Sequence, residues 1–474
     1  MKILFIEPPP ISKRVPERFA GCAYELYHFP DLANLYLLAI AVEEGCDADY
    51  LDCVLEKMSF SEMLEEIRIF SPDILVLHSV ILSKHIDIQF IKKIKKIFPE
   101  IKIVIHGPEP TRVPEEYLIE SETYVIRGEP EEVFRNFISK KDDSCMWKNI
   151  KGEIIIEERI REKVVDINNL PFPKRKHGRL AKYVYKYFNP KFQKKPHTTM
   201  LASRGCSFRC LFCVPNSVSF ARELYFLKYF GRKPKPSIMS AKRVIEEFFE
   251  IKKEGFNSVM ILDDQFLWEK DRTIEICQGI ASLNIEWGCL SRADFLTDEK
   301  IVSGMKKAGC ISIDIGVESF SQRVLNSIRK DIKIETIFTA LKLLNKYDIS
   351  VKLNILFGAC PTETKKDIIN TIKQIKNLGI HNVMFSIATP FKGTEFYNLC
   401  EEKGYLIDKS DFLNPLGKSM ISYPKLKNKD LEHFLKKAYR SVYLNPKEIF
   451  YRMKSFKNIK DVINNFKILL KILR

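Results

Sequence analysis

Hydrophobic and polar positions over the first 140 residues predict strands that alternate with helices. Runs such as "KILFIE", "PDILVLHSV" and "KIVIHG" have strand length, whereas "DLANLYLLAIAVEEG" and "SKHIDIQFIKKIKKIF" have helical length. This alternation favours a parallel sheet covered on both faces. We therefore predict a Rossmann-like (flavodoxin-like) α/β domain over residues 1–140. Its ligands are expected beyond the carboxyl ends of the strands, near "EPPP", His78 and "HGPEPTRVPEE".

Residues 141–195 lose this period and become basic and aromatic, as in "KRKHGRLAKYVYKYFNPKFQKKP". Pro171 and Pro173 precede that stretch and favour a segment laid over the surface. We predict an inter-domain linker here. The alternative is a nucleic-acid-binding segment, since basic and aromatic residues also suit that role.

A second alternating pattern begins at residue 196. Its strand candidates are "TTMLAS", "SVMILD", "EWGCL", "ISIDIG", "VKLNILFG" and "NVMFSIA", and helical stretches such as "SAKRVIEEFFEIKKEG" separate them. Several of these helices end in Gly just past the last apolar position, as helix C-caps do. Six strands with five intervening helices predict a partial TIM-type (β/α)6 barrel over residues 196–405. Chemistry in such a barrel belongs at the carboxyl ends of the strands.

Composition places the chain among globular proteins of a reducing compartment. Of its 474 residues, 45% are hydrophobic and 29% are charged. The opening "MKILFIEPPP" lacks a secretory pattern, and the longest near-apolar run spans 11 residues, fewer than a membrane span requires. We therefore expect a cytoplasmic protein, in which clustered cysteines bind metal or carry out redox chemistry more often than they form disulfides.

The charge is unevenly distributed. The net charge is +16, and the stretch from Pro424 to Arg474 holds 14 Lys and Arg against 4 Asp and Glu. Its end, "DVINNFKILLKILR", has helical spacing, so we predict a basic helical C-terminal region over residues 406–474. Such a helix either packs its apolar stripe on the domain or makes peripheral contact with an anionic membrane.

Three of the twelve cysteines, Cys206, Cys210 and Cys213, lie within "SRGCSFRCLFC", directly after the first predicted barrel strand. A structural zinc site needs a fourth ligand, and no Cys or His occurs in the ten residues after Cys213. Three thiolates suit an iron–sulfur cubane, because they leave one iron open to a small molecule. Arg204 places a positive charge beside this triplet in the sequence. A different class of protein, a metal-stabilised RNA- or membrane-surface-binding protein, would need no open iron.

The spacing Cys-x3-Cys-x-aromatic-Cys, with Phe212 at the aromatic position, resembles the signature of the radical S-adenosylmethionine (SAM) enzymes. The resemblance implies that the three cysteines ligate a [4Fe–4S] cluster and that the open iron binds SAM. A reductant such as ferredoxin or flavodoxin would then drive cleavage of SAM to methionine and a 5′-deoxyadenosyl radical. That radical would abstract hydrogen from an unactivated C–H bond.

Later segments extend the resemblance to about residue 405. "LDDQF" follows the second strand, so Asp264, with Asp263 beside it, is a candidate contact to the methionine part of SAM. In "SRADFL", Arg292 is a candidate partner of the methionine carboxylate, and a salt bridge with Asp294 is the alternative. "IGVESFS" supplies the further candidate SAM contacts Gly316, Glu318 and Ser319.

The order of the two domains resembles the cobalamin-binding subgroup of this family. "MKILFIEPPP", "IHGPEPTRVPEE" and "YVIRGEPEEVF" match that subgroup's N-terminal domain. One motif is missing, since "LDCVLEKM" lies where the axial histidine motif Asp-x-His-x-x-Gly falls in relatives and contains no histidine. The resemblance implies a cobalamin-dependent methyltransferase acting on a small-molecule or lipid-like substrate. The alternative is a radical cyclisation, C–C coupling or rearrangement without cobalamin.

Overall fold

The computed structural model describes residues 1–10, 15–21, 23–24, 27–141, 146–156, 160, 162, 164–410, 417–446 and 448–450. The chain divides into two compact units. The first comprises Met1–Ser207, Pro215–Cys289 and Lys307–Gly309, and the second comprises Phe208–Val214, Leu290–Lys306 and the chain from Cys310 onward. Cys206 therefore belongs to the first unit, and the other two clustered cysteines belong to the second.

A seven-stranded sheet organises the N-terminal part of the first unit. The strands here are β1 (Lys2–Glu7), β2 (Pro16–Glu17), β3 (Ala23–Tyr24), β4 (Asp47–Asp52), β5 (Ile74–His78), β6 (Lys102–His106), β7 (Thr123–Ile126), β8 (Met146–Ile150) and β9 (Glu153–Ile156). The sheet order is β4-β1-β5-β6-β7-β8-β9, parallel from β4 to β7 and antiparallel thereafter, and β2 pairs only with β3. Because β4 and β5 flank β1, the strand order reverses beside β1, which is where doubly wound sheets bind ligands.

The helices of this part are α1 (Leu32–Glu43), α2 (Phe60–Phe70), α3 (Lys84–Ile97), α4 (Pro108–Arg112), α5 (Glu131–Ile138) and α6 (Leu180–Tyr183). Helix α1 is buried along ten of its twelve residues, and Asp31 caps its N-terminus. Its side chains pack on the sheet and also on Leu201 and Val218, which follow β9 in the same unit. A helix buried on both sides needs apolar residues on all its faces, and this explains the apolar sequence of α1.

The rest of the first unit holds β10 (His197–Met200), β11 (Ser203–Arg204), α7 (Ser217–Phe230), β12 (Ser237–Ile238), α8 (Ala241–Lys253), β13 (Ser258–Ile261), α9 (Lys270–Ile280) and most of β14 (Glu286–Ser291). Strands β10, β13 and β14 pair in parallel in that order. The short strands β11 and β12 pair antiparallel beside them. The chain between β11 and α7 carries the three clustered cysteines.

The second unit continues the alternation with α10 (Glu299–Lys307), β15 (Cys310–Glu318), α11 (Gln322–Ser327), α12 (Ile334–Lys346), β16 (Ser350–Phe357), α13 (Lys365–Leu378), β17 (Asn382–Ile387), α14 (Glu395–Glu402) and α15 (Asn428–Tyr443). Strands β15, β16 and β17 pair in parallel. The second sheet has the order β10-β13-β14-β15-β16-β17, which follows the chain as in a β/α barrel. Short 3-10 helices occupy Pro114–Glu116, Ala281–Leu283 and Ala293–Leu296.

The predicted fold class is confirmed: a flavodoxin-like parallel sheet precedes a second, six-stranded parallel sheet. The hairpin of β8 and β9 lies in the stretch predicted as a linker and extends the first sheet past residue 140. Residues 451–474 of the basic C-terminal stretch, which include "DVINNFKILLKILR", lie outside the described residues. Across the described part of the chain, no helix combines the length and the hydropathy of a membrane span.

Candidate active site

The cysteine loop has two arms, one in each unit. The first arm is Ser203–Ser207 and the second arm is Phe208–Val214. The first arm begins three residues after β10 ends, at the carboxyl end of that strand.

Two consecutive carboxylates after β13 hold the backbone of the first arm. Asp263 accepts hydrogen bonds from Ala202 N and Ser203 Oγ, both at 2.7 Å. Asp264 accepts from Gly205 N at 3.1 Å and from Asn216 N at 2.6 Å. Since Gly205 precedes the cysteines and Asn216 follows them, Asp264 fixes the chain on both sides of the loop.

Burial disfavours the charged form of both carboxyl groups. Burial raises the pKa of Asp263 to about 7, although the hydrogen bonds from Ala202 and Ser203 act in the opposite direction. Burial likewise raises the pKa of Asp264 to about 6 against the hydrogen bonds that it accepts. These two groups therefore titrate in a range where an exposed aspartate is fully ionised.

Gly205 is required by a close approach. Its φ is +83°, and a Cβ there would lie 2.5 Å from Arg222 Nη2. That guanidinium is buried, donating to Arg204 O at 2.8 Å and to Ser237 Oγ at 2.8 Å. The glycine thus lets the first arm turn directly over a buried arginine of α7.

Arg204 connects the first arm to the N-terminal sheet domain within the same unit. Its side chain is 1% exposed and pairs with Glu131 at 2.6 Å and with Glu129 at 3.1 Å. The guanidinium also lies 5.7 Å from the ring centroid of Tyr36 on α1. The positive charge of Arg204 is therefore balanced by two carboxylates that follow β7.

Rings and one backbone hydrogen bond hold the second arm. The guanidinium carbon of Arg292 lies 3.6 Å from the ring centroid of Phe208, and the Phe295 ring packs edge-on at 6.2 Å. Leu211 N donates to Ile328 O at 3.0 Å. Lys330 Nζ lies 6.0 Å from the ring centroid of Phe212. These contacts place two cations beside the arm that carries two of the cysteines.

The segment after β15 forms a buried ion pair. Glu318 accepts from Lys330 Nζ at 2.9 Å, and both side chains are at most 10% exposed. A Cβ at Gly316 would lie 2.6 Å from Glu318 Oε1 and 3.0 Å from Lys330 Nζ. Gly316 therefore makes room for this pair.

The remaining predicted contacts have protein partners. Arg292 pairs with Asp294 at 3.0 Å, which is the salt bridge named as the alternative, and it also donates to Asp331 O at 3.3 Å. The hydroxyl of Ser319 is 3.2 Å from Thr371 Oγ1 on α13, in a buried position. Whether these side chains also bind SAM stays a prediction.

The three cysteines suit an iron–sulfur cluster. Each is partly exposed, and none forms a disulfide. Burial acts against the charge of Lys330, but Glu318 and, to a smaller extent, Cys210 raise the pKa of this lysine above its usual value. Partly accessible thiols on a loop lined by cations fit an anionic cluster with one open position.

The carboxyl edge of the first sheet holds a buried stack of two imidazoles. The rings of His78 and His106 lie 4.7 Å apart at an angle of 5°, at the ends of β5 and β6. His78 Nδ1 is 2.7 Å from Asp31 Oδ2, and His106 Nε2 is 2.9 Å from Asn34 Oδ1. Within the described residues, His78 Nε2 and Asn34 Nδ2 have no hydrogen-bond partner. Unsatisfied buried polar atoms beside a strand-order reversal fit a polar ligand such as the amide-rich corrin of cobalamin.

Glu7, His28 and Asp52 lie together at the ends of β1 and β4, with their potential ligand atoms within 4.8 Å of one another. His28 Nε2 is 2.7 Å from Asp52 Oδ2, and Asp52 also accepts from Tyr187 Oη at 2.9 Å. Tyr50 donates to Glu7. Because tyrosine hydroxyls already donate to both carboxylates, we interpret this group as a hydrogen-bonded network at the same sheet edge.

Two family models match the chain. The radical SAM superfamily model matches residues 200–375, and the B12-binding domain model matches residues 23–138. The chain therefore combines a radical SAM domain with a B12-binding domain. These matches confirm the predicted cofactors, namely a [4Fe–4S] cluster, SAM and cobalamin, and they confirm that this radical SAM protein is an enzyme.

Relatives align over most of this radical SAM enzyme. An uncharacterised methyltransferase of Pyrococcus horikoshii is 28% identical over 99% of this chain and 96% of its own. The anaerobic magnesium-protoporphyrin IX monomethyl ester cyclase of Rubrivivax gelatinosus is 22% identical over 88% of this chain and 74% of its own. The radical SAM methyltransferase TsrM of Kitasatospora setae, solved with tryptophan and a SAM analogue, superposes with a TM-score of 0.70 at 13% identity, covering 94% of this chain and 90% of its own. That last likeness supports the fold alone.

The structure also identifies residues that contact the cysteine loop and that the sequence did not single out. Lys330 follows α11 with no motif to mark it, and Arg222 is one of two basic residues in α7, where no local pattern distinguishes it from Lys228. Glu129 and Glu131 lie in "RGEPEEVF", which was noted only as a resemblance. A buried charge pair cannot be read from one sequence, because its partners lie 12 to 75 residues apart.

Proposed function

We propose that this enzyme transfers a methyl group to an unactivated carbon of a small-molecule or lipid-like substrate. The observation that carries the proposal is the ion pair of Arg204 with Glu129 and Glu131. It joins the first arm of the cysteine loop to the B12-binding domain inside one compact unit. This contact between the first arm and the B12-binding domain supports a reaction that uses both a radical generated at the loop and a methyl donor held by that domain.

When bound, SAM and the cluster supply a hydrogen-abstracting radical, and cobalamin supplies an activated methyl group. Cys206, Cys210 and Cys213 would ligate the cluster through three of its irons. Asp263 and Asp264 hold the backbone on which Cys206 is presented, and Phe208 and Leu211 anchor the backbone of Cys210 and Cys213. His78 and Asn34, with their unsatisfied polar atoms, would face the polar groups of cobalamin at the edge of the first sheet.

The reaction consumes two SAM molecules and two electrons from a low-potential reductant of the ferredoxin or flavodoxin class. One SAM gives methionine and 5′-deoxyadenosine, and the other gives S-adenosylhomocysteine after its methyl group has passed to the substrate. The substrate loses one hydrogen atom and gains one methyl group.

A second candidate is a radical cyclisation or rearrangement without methyl transfer. It is favoured by the segment "LDCVLEKM", where Val54 stands instead of an axial histidine and Cys53 is fully buried. Relatives named as anaerobic cyclases also align over most of the chain. This reaction would yield 5′-deoxyadenosine without S-adenosylhomocysteine.

The deciding experiment measures both nucleoside products after anaerobic reconstitution. The wild type should hold about four irons per chain, bind hydroxocobalamin and release both 5′-deoxyadenosine and S-adenosylhomocysteine. Cys210→Ala should abolish 5′-deoxyadenosine, because one cluster ligand is lost, while cobalamin still binds to the first domain. Cys277→Ala is the matched control: this cysteine is buried on α9, and its loss should leave both products unchanged. A protein that binds no cobalamin and releases only 5′-deoxyadenosine would support the second candidate, and one that holds zinc and no iron would contradict both.

A further inference from the structure

Lys330 is a buried cation with two neighbours that matter for the cluster. It is 6% exposed and follows the end of α11. Its Nζ donates to Glu318 Oε1 at 2.9 Å and lies over the ring of Phe212, which directly precedes Cys213. A lysine is rarely buried without such a partner, so this arrangement requires an explanation.

The backbone is shaped to keep this pair. Glu318 has a φ of +67°, which is unfavourable for a residue with a side chain, and the pairing of β15 with β16 shifts register between Gly316 and Glu318. The missing Cβ of Gly316 leaves the space that both side chains occupy. Local strain of this kind persists where the surrounding structure fixes it, and it clusters at functional sites.

The charge of Lys330 faces the cysteine loop. The ammonium group of Lys330 pairs with the carboxylate of Glu318 at 2.9 Å, and it lies 6.0 Å from the ring centroid of Phe212. Lys330 is therefore a cation at any physiological pH. Arg204, which lies in the first arm of the loop, is paired instead with two carboxylates of the B12-binding domain.

We propose that Lys330 is a positioning residue that raises the reduction potential of the cluster, with Glu318 opposing it. The inference rests on the proposed cluster, but not on the methyl-transfer step. One electron from a ferredoxin- or flavodoxin-class donor adds one negative charge beside Cys210, and no bond changes in that step. A cation nearby stabilises the more negative, reduced form, because cluster potentials depend on the net charge around the sulfurs.

The test is a redox titration of the reconstituted enzyme, followed by electron paramagnetic resonance without SAM, cobalamin or substrate. Lys330→Met keeps the length of the side chain and removes its charge. We expect the ratio of reduced to oxidised cluster at a fixed potential to fall about tenfold, which is a shift of about 59 mV for one electron. Lys330→Arg should retain the wild-type potential, and Glu318→Gln should raise it.

Lys330→Met leaves Glu318 buried and unpaired, so it can fail to assemble a cluster. The double variant Lys330→Met/Glu318→Gln removes both charges, and its potential should lie between those of Lys330→Met and the wild type. If the double variant holds four irons with a wild-type potential and Glu318→Gln does not raise the potential, the proposal is wrong. Iron content is measured on the same samples, and a wild type without iron would contradict the proposed function rather than the role of Lys330.

Discussion

The two arms of the cysteine loop are held by different chemistry. The first arm, Ser203–Ser207, is fixed by two buried aspartates, two buried arginines and a glycine whose Cβ would lie 2.5 Å from Arg222 Nη2. Among the contacts described for its own unit, the second arm, Phe208–Val214, is held by ring contacts and by the backbone hydrogen bond from Leu211 to Ile328. Removing one member of a buried polar network lowers stability by more than the contact itself, because its partners stay buried without hydrogen bonds. Removing a contact with a ring lowers stability only by the energy of that contact. The first arm should therefore tolerate change poorly, and the second arm should tolerate it in proportion to the contact removed.

The largest effect is expected from Arg204→Met. This change leaves the carboxylates of Glu129 and Glu131 buried without their main cation, and breaking a buried pair costs about 3–5 kcal/mol. Urea denaturation should show this loss together with release of cobalamin, because the broken pair joins the loop to the B12-binding domain. The control Arg135→Met breaks the exposed pairs with Glu43 and Glu44 and should cost no more than about 1 kcal/mol.

A double variant separates the charge from the packing. Adding Glu131→Gln to Arg204→Met removes one of the buried carboxylates that have lost their cation. The double variant should therefore be more stable than Arg204→Met alone. An additive loss would contradict the interpretation that the cost arises from unpaired charge.

Gly205→Ala should have the next largest effect. The new methyl group would meet Arg222 Nη2 at 2.5 Å in a backbone conformation of positive φ, and strain of this kind costs about 1–3 kcal/mol. Gly231→Ala is the matched control, because Gly231 ends α7 with a φ of +63° and has nothing within 4 Å of its Cβ position. The melting temperatures of both variants are compared. The loss that Gly205→Ala shows beyond Gly231→Ala is the cost of the contact with Arg222, apart from the cost of a positive φ. Equal losses would show that Arg222 moves aside freely.

These contrasts also show what the sequence can predict. The strands and helices followed from the period of apolar residues, because each element buries one face or two. The spacing of Cys206, Cys210 and Cys213 pointed to a cluster for a similar reason, since the ligands are close along the chain. Lys330 and Glu318 were not paired in advance, because no local pattern shows which of many charged residues a fold will bury together.

Two sequence interpretations were incomplete in an instructive way. Arg204 was placed near the cluster because it precedes Cys206, but its side chain is directed to Glu129 and Glu131. Asp264 was expected to contact SAM, and the structure uses its carboxylate to accept two backbone N–H groups. Neighbours in sequence share a backbone, but the direction of a side chain depends on what packs around it.

The stability of the first unit should also depend on pH. The pKa of Asp263 is raised from 3.8 to about 7 by burial, so the folded state holds more protons than the unfolded state between those values. The stability of the first unit should therefore fall as pH rises from about 4 to about 7, with a slope of at most about 1.4 kcal/mol per pH unit from this group.

Asp263→Asn should remove that slope. Its amide oxygen can still accept from Ala202 N, and its NH2 group can donate to Ser203 Oγ, which in turn donates to Gln265 O. Melting temperatures measured from pH 4 to pH 8 should vary less in the variant than in the wild type. A slope unchanged by the substitution would show that Asp263 is ionised throughout this range.

The smallest effect is expected in the second arm, from Phe208→Leu. Leucine keeps apolar volume but removes the ring under Arg292, and a partly exposed cation–π contact contributes about 0.5–1 kcal/mol. Phe249→Leu, which changes a ring that is 48% exposed on α8, is the control and should leave the melting temperature unchanged. If Phe208→Leu matches the loss caused by Gly205→Ala, the two arms are equally constrained and their contrast is wrong. If instead it lowers iron content while stability changes little, the second arm acts mainly to position Cys210 and Cys213 for the cluster.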